Sequence, residues 1–146
     1  MDYSEVEILL VEDNPYDVEM TINSLQQHKI SNKIFVTRDG AEALDFIFAR
    51  GEYSGRDVSA KPRVILLDLK LPKKNGLEVL REIRSDESTK QIPVVILTSS
   101  QEESDIVESY KLGVNSYIVK PVDFENFTKA ISNIGLYWLI LNKPPL

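Results

Sequence analysis

Short apolar runs alternate along this chain with longer stretches in which apolar positions recur every three or four residues. The short runs are Val6 to Val11, Ile34 to Thr37, Val64 to Leu67, Val94 to Thr98 and Ser116 to Val119. They are rich in Val, Ile and Leu and alternate little, which predicts strands covered on both faces, as in a parallel sheet. The stretches between them predict helices. The first opens at "DNP", where Asn14 is a good N-cap, Pro15 is preset for the first helical position and Asp17 suits the first turn. Its apolar positions Val18, Ile22 and Leu25 keep helical spacing. The second spans about Gly40 to Arg50, with Ala41, Ala43, Leu44 and Ile47 as its inner face. The third begins near Gly76 and carries Leu77, Leu80 and Ile83. The fourth lies near Glu102 to Leu112 and ends at Gly113, a C′ glycine. The fifth is capped by Asp123 and runs towards Asn142.

Five strands alternating with five helices predict an α/β fold, a doubly wound parallel sheet with right-handed crossovers. There is no internal repeat and no low-complexity segment. "RGEYSGRDVSAKPR", Arg50 to Arg63, is the longest non-periodic connection and reads as an exposed loop. At 146 residues the chain fits one domain, with a core from about 5 to 141 and a short tail, 142–146. Only the five residues "NKPPL" follow Leu141, so a stand-alone domain with no output domain is the expectation.

Charge and composition narrow the function. The net charge of −6 offers no basic footprint, so nucleic acid is not an expected partner, whereas cations and basic protein surfaces are. No apolar run reaches the roughly 18 residues that cross a bilayer, and the acidic "MDYSEVEILLV" start is unlike a signal peptide. The absence of cysteine excludes disulfides, thiolate catalysis and Cys-ligated zinc, and it suits a cytoplasmic protein.

In an open α/β sheet, ligands bind beyond the carboxyl ends of the strands. Those ends carry Glu12 and Asp13 after the first run, Asp68 after the third, Thr98 at the end of the fourth and Lys120 after the fifth. Clustered carboxylates repel one another unless a cation intervenes, and Mg²⁺ suits oxygen ligands and phosphate. A carboxylate can also be a nucleophile that forms an aspartyl-phosphate. Lys120, the Thr98 hydroxyl and nearby backbone amides would then stabilise the transferring phosphoryl oxygens.

The motifs "VEDN", "LLDLKLPKKNG", "ILTSS" and "YIVKP", in this order on these elements, make the chain resemble the receiver domain of two-component response regulators. The resemblance covers about residues 5 to 141. It implies a flavodoxin-like sheet with strand order 2-1-3-4-5. It also implies Asp68 as phosphoacceptor, and Mg²⁺ held by Asp13 directly, Glu12 through water, Asp68 and the Lys70 carbonyl. Lys120 would pair with the phosphoryl group, and Thr98 and the Tyr117 ring would act as the switch. The Lys120-Pro121 peptide is often cis in this family. The chain departs from the family at Lys70, where Asn or Met is common; this residue is expected to alter hydrolysis of the aspartyl-phosphate, in either direction.

The phosphoryl donor so implied is the histidine of a sensor kinase. The "GEYSGRDVSAKPR" loop, "LKLPKKNG" and the Trp-containing last helix are similar to those of small response regulators paired with bacterial phytochrome-type kinases. "ISNIGLYWLILNKPPL" is apolar around most of a helix, and its distal half, with the fourth helix and fifth strand, is expected to offer a surface for a partner or a homodimer. His28 reads as a solvated residue beside Lys29, and Lys73 and Lys74 as a solvated loop. Two competing classes remain. One is a binding module of this fold that is never phosphorylated, which the acidic cluster argues against. The other is a phosphohydrolase with Asp68 as nucleophile. Haloacid-dehalogenase-type enzymes place a second Asp two residues on, where this chain has Lys70.

Overall fold

The computed structural model describes residues 6–27 and 33–120, with residues 125, 126 and 129 beyond them. Strand β1 (Ile8–Val11) leads to helix α1 (Pro15–Gln27), β2 (Ile34–Thr37), α2 (Gly40–Phe48), β3 (Val64–Leu67), α3 (Gly76–Ser85), β4 (Val94–Thr98), α4 (Glu103–Lys111) and β5 (Ser116–Val119). The five strands form one parallel sheet in the order β2-β1-β3-β4-β5. The fold class and strand order are those expected. The predicted fifth helix lies outside the described residues apart from 125, 126 and 129, which are helical. Trp138, the apolar C-terminal surface, His28 and Pro121 also lie outside them.

The sheet is buried on both faces, which is why its strands read as nearly continuous apolar runs. Leu9, Val11, Ile65, Leu67 and Ile96 pack towards α2 and α3. Ile8, Leu10, Val64, Leu66, Val95 and Leu97 pack on the other face with Val18 and Leu25 of α1. Among the described residues no helix is long and apolar enough to cross a membrane.

Local chemistry sets the helix starts. The Asn14 side chain accepts from the amides of Tyr16 and Asp17, at 2.9 and 3.2 Å. Asp39 caps α2 by accepting from the Glu42 amide at 2.7 Å. Asn75 and Glu78 form a reciprocal capping box at α3. Gly113 follows α4 with φ +77°, as a C′ glycine should. The Arg84 guanidinium, from α3, donates to the carbonyls of Leu112 and Gly113 at 2.9 Å each, satisfying that helix end.

Two expectations are corrected. The inner face of α2 includes Phe46, which is fully buried and stacks on Phe35 with ring centroids 4.6 Å apart, while Ala41 is only half-buried. The connection after α2 is not simply an exposed loop. It makes a 3-10 turn at Gly51–Tyr53, buries Tyr53 edge-on against Phe46, and lays the Arg56 guanidinium 4.1 Å from the centre of the Phe46 ring. Arg56 also donates to the carbonyls of Phe46 and Ala60. The segment is polar in composition, but one aromatic and one aliphatic-stemmed cation anchor it, and a periodicity search does not see isolated anchors.

Candidate functional site

Strand register builds the site. Val11 of β1 is level with Leu67 of β3 and with Thr37 of β2, so the two central strands end side by side. The residues that follow are tied down at once: the Glu12 amide donates to the Thr37 carbonyl at 3.0 Å and the Asp68 amide to the Val11 carbonyl at 3.1 Å. On the other flank, Thr98 is level with Val119, and the Lys120 amide donates to the Thr98 carbonyl at 2.9 Å. Rigid backbone thus delivers Glu12, Asp13, Asp68, Thr98 and Lys120 to one edge of the sheet.

The side chains converge there. Carboxylate oxygens of Glu12, Asp13 and Asp68 lie within 4.8 Å of one another. Glu12 and Asp68 are buried, at 2% and 4% exposure, and Asp13 faces solvent. The Lys120 ammonium donates to Glu12, to Asp68 Oδ2 at 3.1 Å and to Asp17 Oδ2 at 2.9 Å. The other Asp68 oxygen accepts from the Lys70 amide at 3.1 Å, so the turn after β3 fixes the carboxylate plane. Gly76 permits this turn, because a β-carbon there would lie 2.3 Å from the Asp68 carbonyl oxygen.

The electrostatics follow from burial against charge. Burial pushes the Glu12 carboxyl up to about 7, with the Asp68 charge adding to the rise and the Lys120 hydrogen bond opposing it. Burial pulls Lys120 down, but its hydrogen bonds to Glu12 and Asp17 and the charges of Asp68 and Glu12 outweigh this and hold it above the ordinary lysine range. Three carboxylates, Glu12, Asp17 and Asp68, therefore share one ammonium, and Asp13 adds a fourth negative charge beside Glu12 and Asp68. A set of hard oxygen donors that carries more negative charge than Lys120 neutralises fits a divalent ion such as Mg²⁺.

Thr98 is fully buried, and its hydroxyl oxygen accepts from the Ser100 amide at 3.3 Å. The Tyr117 hydroxyl donates to the Ser100 carbonyl at 3.0 Å, and its ring packs against the core on the α2–α3 side of the sheet. Burial raises the Tyr117 phenol above its ordinary range. The Lys70 ammonium lies 3.7 Å from Asp105 Oδ2, at the start of α4, and its side chain is 56% exposed. Asp105 also accepts from the Ser100 hydroxyl at 2.6 Å. Lys73 and Lys74 make surface ion pairs, with Asp39 at 3.5 Å and Glu82 at 2.7 Å, and keep side-chain exposures of 70% and 44%, as a solvated loop should.

Two participants escape the sequence reading. Asp17 occupies the first turn of α1, where a carboxylate is explained by the helix dipole alone. Asp105 looks the same at α4. The available signal is topological: the N-termini of these helices stand over the strand ends, so their first-turn carboxylates face the site.

Residues 8–132 match the family model of the response regulator receiver domain. Response regulator Rcp1 of Synechocystis is 42% identical over 132 residues, covering 90% of this chain and 88% of that protein. Among solved structures, the bacteriophytochrome response regulator RtBRR superposes with a TM-score of 0.84 at 55% identity, covering 95% of this chain and 83% of that one. The Mn(2+)-bound form of Rcp1 gives a TM-score of 0.75 at 40% identity, covering 95% and 96%. The phosphorylated cyanobacterial phytochrome response regulator RcpA gives 0.75 at 41%, covering 92% and 94%. With the strand order and the strand-end chemistry already described, these matches establish that the chain belongs to the response regulator receiver domain family.

Proposed function

We propose that Asp68 accepts a phosphoryl group from the phosphohistidine of a sensor kinase, in a reaction that requires Mg²⁺. The observation that carries this reading is the buried Asp68 carboxylate, held between the Lys70 amide and the Lys120 ammonium beside Glu12 and Asp13. A carboxylate oxygen of Asp68 attacks phosphorus, the P–N bond to the kinase imidazole breaks, and an acyl phosphate forms. Asp13, Asp68 and the Lys70 carbonyl would hold the Mg²⁺ directly and Glu12 through water, and the ion would supply positive charge to the phosphoryl oxygens. Lys120 supplies the second positive charge, and the Thr98 hydroxyl supplies a donor. The Mn(2+)-bound Rcp1 and the phosphorylated RcpA support the metal and the modification.

The protein acts as a phosphoacceptor in signalling and not as an enzyme with turnover. Its donor is a phytochrome-type histidine kinase, by the similarity to RtBRR, Rcp1 and RcpA. The signal leaves by protein contact. Thr98 and Tyr117 both reach Ser100, just before α4, so a shift of Thr98 towards the phosphoryl group is felt there. Helix α4 leaves Val107 and Tyr110 exposed, at 45% and 51%, which suits a partner or a second copy.

Intact mass after incubation with phosphoramidate and Mg²⁺ tests the chemistry. One phosphoryl adduct that Asp68→Asn abolishes is expected. Multiple turnover without an adduct would point to a phosphohydrolase, and no reaction to a pure binding module. Transfer from an autophosphorylated bacterial phytochrome kinase, faster than from an unrelated histidine kinase, tests the partner.

A further inference from the structure

We propose that Asp17 is a positioning residue, which keeps the Lys120 ammonium at the site when a divalent cation takes up the Glu12, Asp13 and Asp68 carboxylates. The inference rests on the metal-binding part of the function proposed above.

An ammonium has three N–H donors, and in this structure Lys120 spends them on Glu12, Asp68 and Asp17. Glu12 and Asp68 belong to the carboxylate triple that suits a cation; Asp17 does not. A cation among the triple competes for the Glu12 and Asp68 lone pairs and repels the ammonium. Lys120 then loses two partners in a place where it is only 11% exposed, too buried for water to replace them fully. Asp17 remains. It sits on α1, anchored through its own amide by the Asn14 cap, so it does not depend on the strand ends for its position. Held there, Lys120 has two N–H groups free on the side where Asp68 Oδ2 lies.

The dipole account of Asp17 predicts something different. A first-turn carboxylate would stabilise α1 a little and would not be coupled to Lys120. The two accounts separate in a double-mutant cycle read by Mn²⁺ binding, measured by calorimetry on the full chain. The four proteins are wild type, Asp17→Asn, Lys120→Met and the double variant. Asp17→Asn should weaken Mn²⁺ binding about fivefold or more in the native background, because Lys120 falls back on Glu12 and Asp68 and competes with the ion. In the Lys120→Met background the same substitution should cost distinctly less. Asp17→Glu, which keeps the charge, should recover part of the affinity. Equal losses in both backgrounds would mean that Asp17 acts through space or through helix stability, and would overturn the proposal. So would no loss at all. Lys120→Gln replaces Lys120→Met should the latter not fold. The cycle needs no phosphoryl transfer, so it still reports if Asp68 proves never to be phosphorylated, and phosphoryl uptake by the wild type is scored separately by mass.

Discussion

Gly76 stands so close under Asp68 that an added β-carbon would come within 2.3 Å of the Asp68 carbonyl oxygen and 2.6 Å of the Leu69 α-carbon. Both obstacles are backbone, so neither can swing aside. The Gly76 amide also donates to the Leu69 carbonyl at 3.0 Å, which closes the turn. Gly76→Ala must therefore displace either α3 or the segment carrying Asp68. A loss of at least about 2 kcal/mol in chemical denaturation is expected, with slower phosphoryl uptake from phosphoramidate in the fraction that folds. Wild-type stability in Gly76→Ala would show that the turn yields easily.

The proton on Glu12 should link pH to both stability and metal binding. Its carboxyl is raised from 4.5 to about 7, first by burial. Between those values the folded protein binds more protons than the unfolded chain, so this group's contribution to stability falls as pH rises from about 4.5 to about 7. The full effect is at most about 3 kcal/mol. A cation favours the ionised form, so Mg²⁺ affinity should rise with pH up to about 7 and then level off. Calorimetric titrations from pH 5.5 to 8 check this. Glu12→Gln should flatten both profiles, and a slope that survives the substitution assigns the proton elsewhere.

Lys70 and Asp105 span the rim of a cavity of about 380 Å³ beside the Asp68 turn, lined by Leu69, Leu71, Asn75 and Leu77 as well. The pair is half-exposed on the lysine side, so Lys70→Asn should change stability by less than about 1 kcal/mol. Opening the rim gives water easier access to an acyl phosphate on Asp68. The phosphoryl half-life of Lys70→Asn should be several times shorter than that of wild type. Equal half-lives would remove Lys70 from the chemistry.

Arg56 carries a structural role that is separable from the site. Its guanidinium covers the Phe46 ring and donates to two carbonyls, and burial pulls its pKa below the ordinary arginine value. Arg56→Ala uncovers the ring and leaves the buried Phe46 carbonyl without this donor. A cost of about 2–4 kcal/mol in urea unfolding is expected, with Mn²⁺ affinity and phosphoryl uptake of the folded protein unchanged. A surface-like cost below about 0.5 kcal/mol would restore the reading of this segment as a plain exposed loop.

The sequence by itself determined the strands, the helix starts and the candidate strand-end residues. Leu9 to Val11 and Val64 to Leu67 read as buried strands because a sheet covered on both faces leaves no polar positions along them. Asn14 and Gly113 read as caps because their chemistry answers a local backbone need. Only the tertiary structure decided where first-turn carboxylates and long polar side chains end up. Asp17 reads as a dipole partner until β5 brings Lys120 to 2.9 Å from it. The pairing of the Lys70 ammonium with Asp105, 35 residues on, has no signal in the sequence. Arg56 reads as loop until Phe46 is found beneath it. The physical reason is range: caps and periodicity act within a few residues of their cause, whereas an ammonium or guanidinium is placed by whatever the fold sets within its long reach.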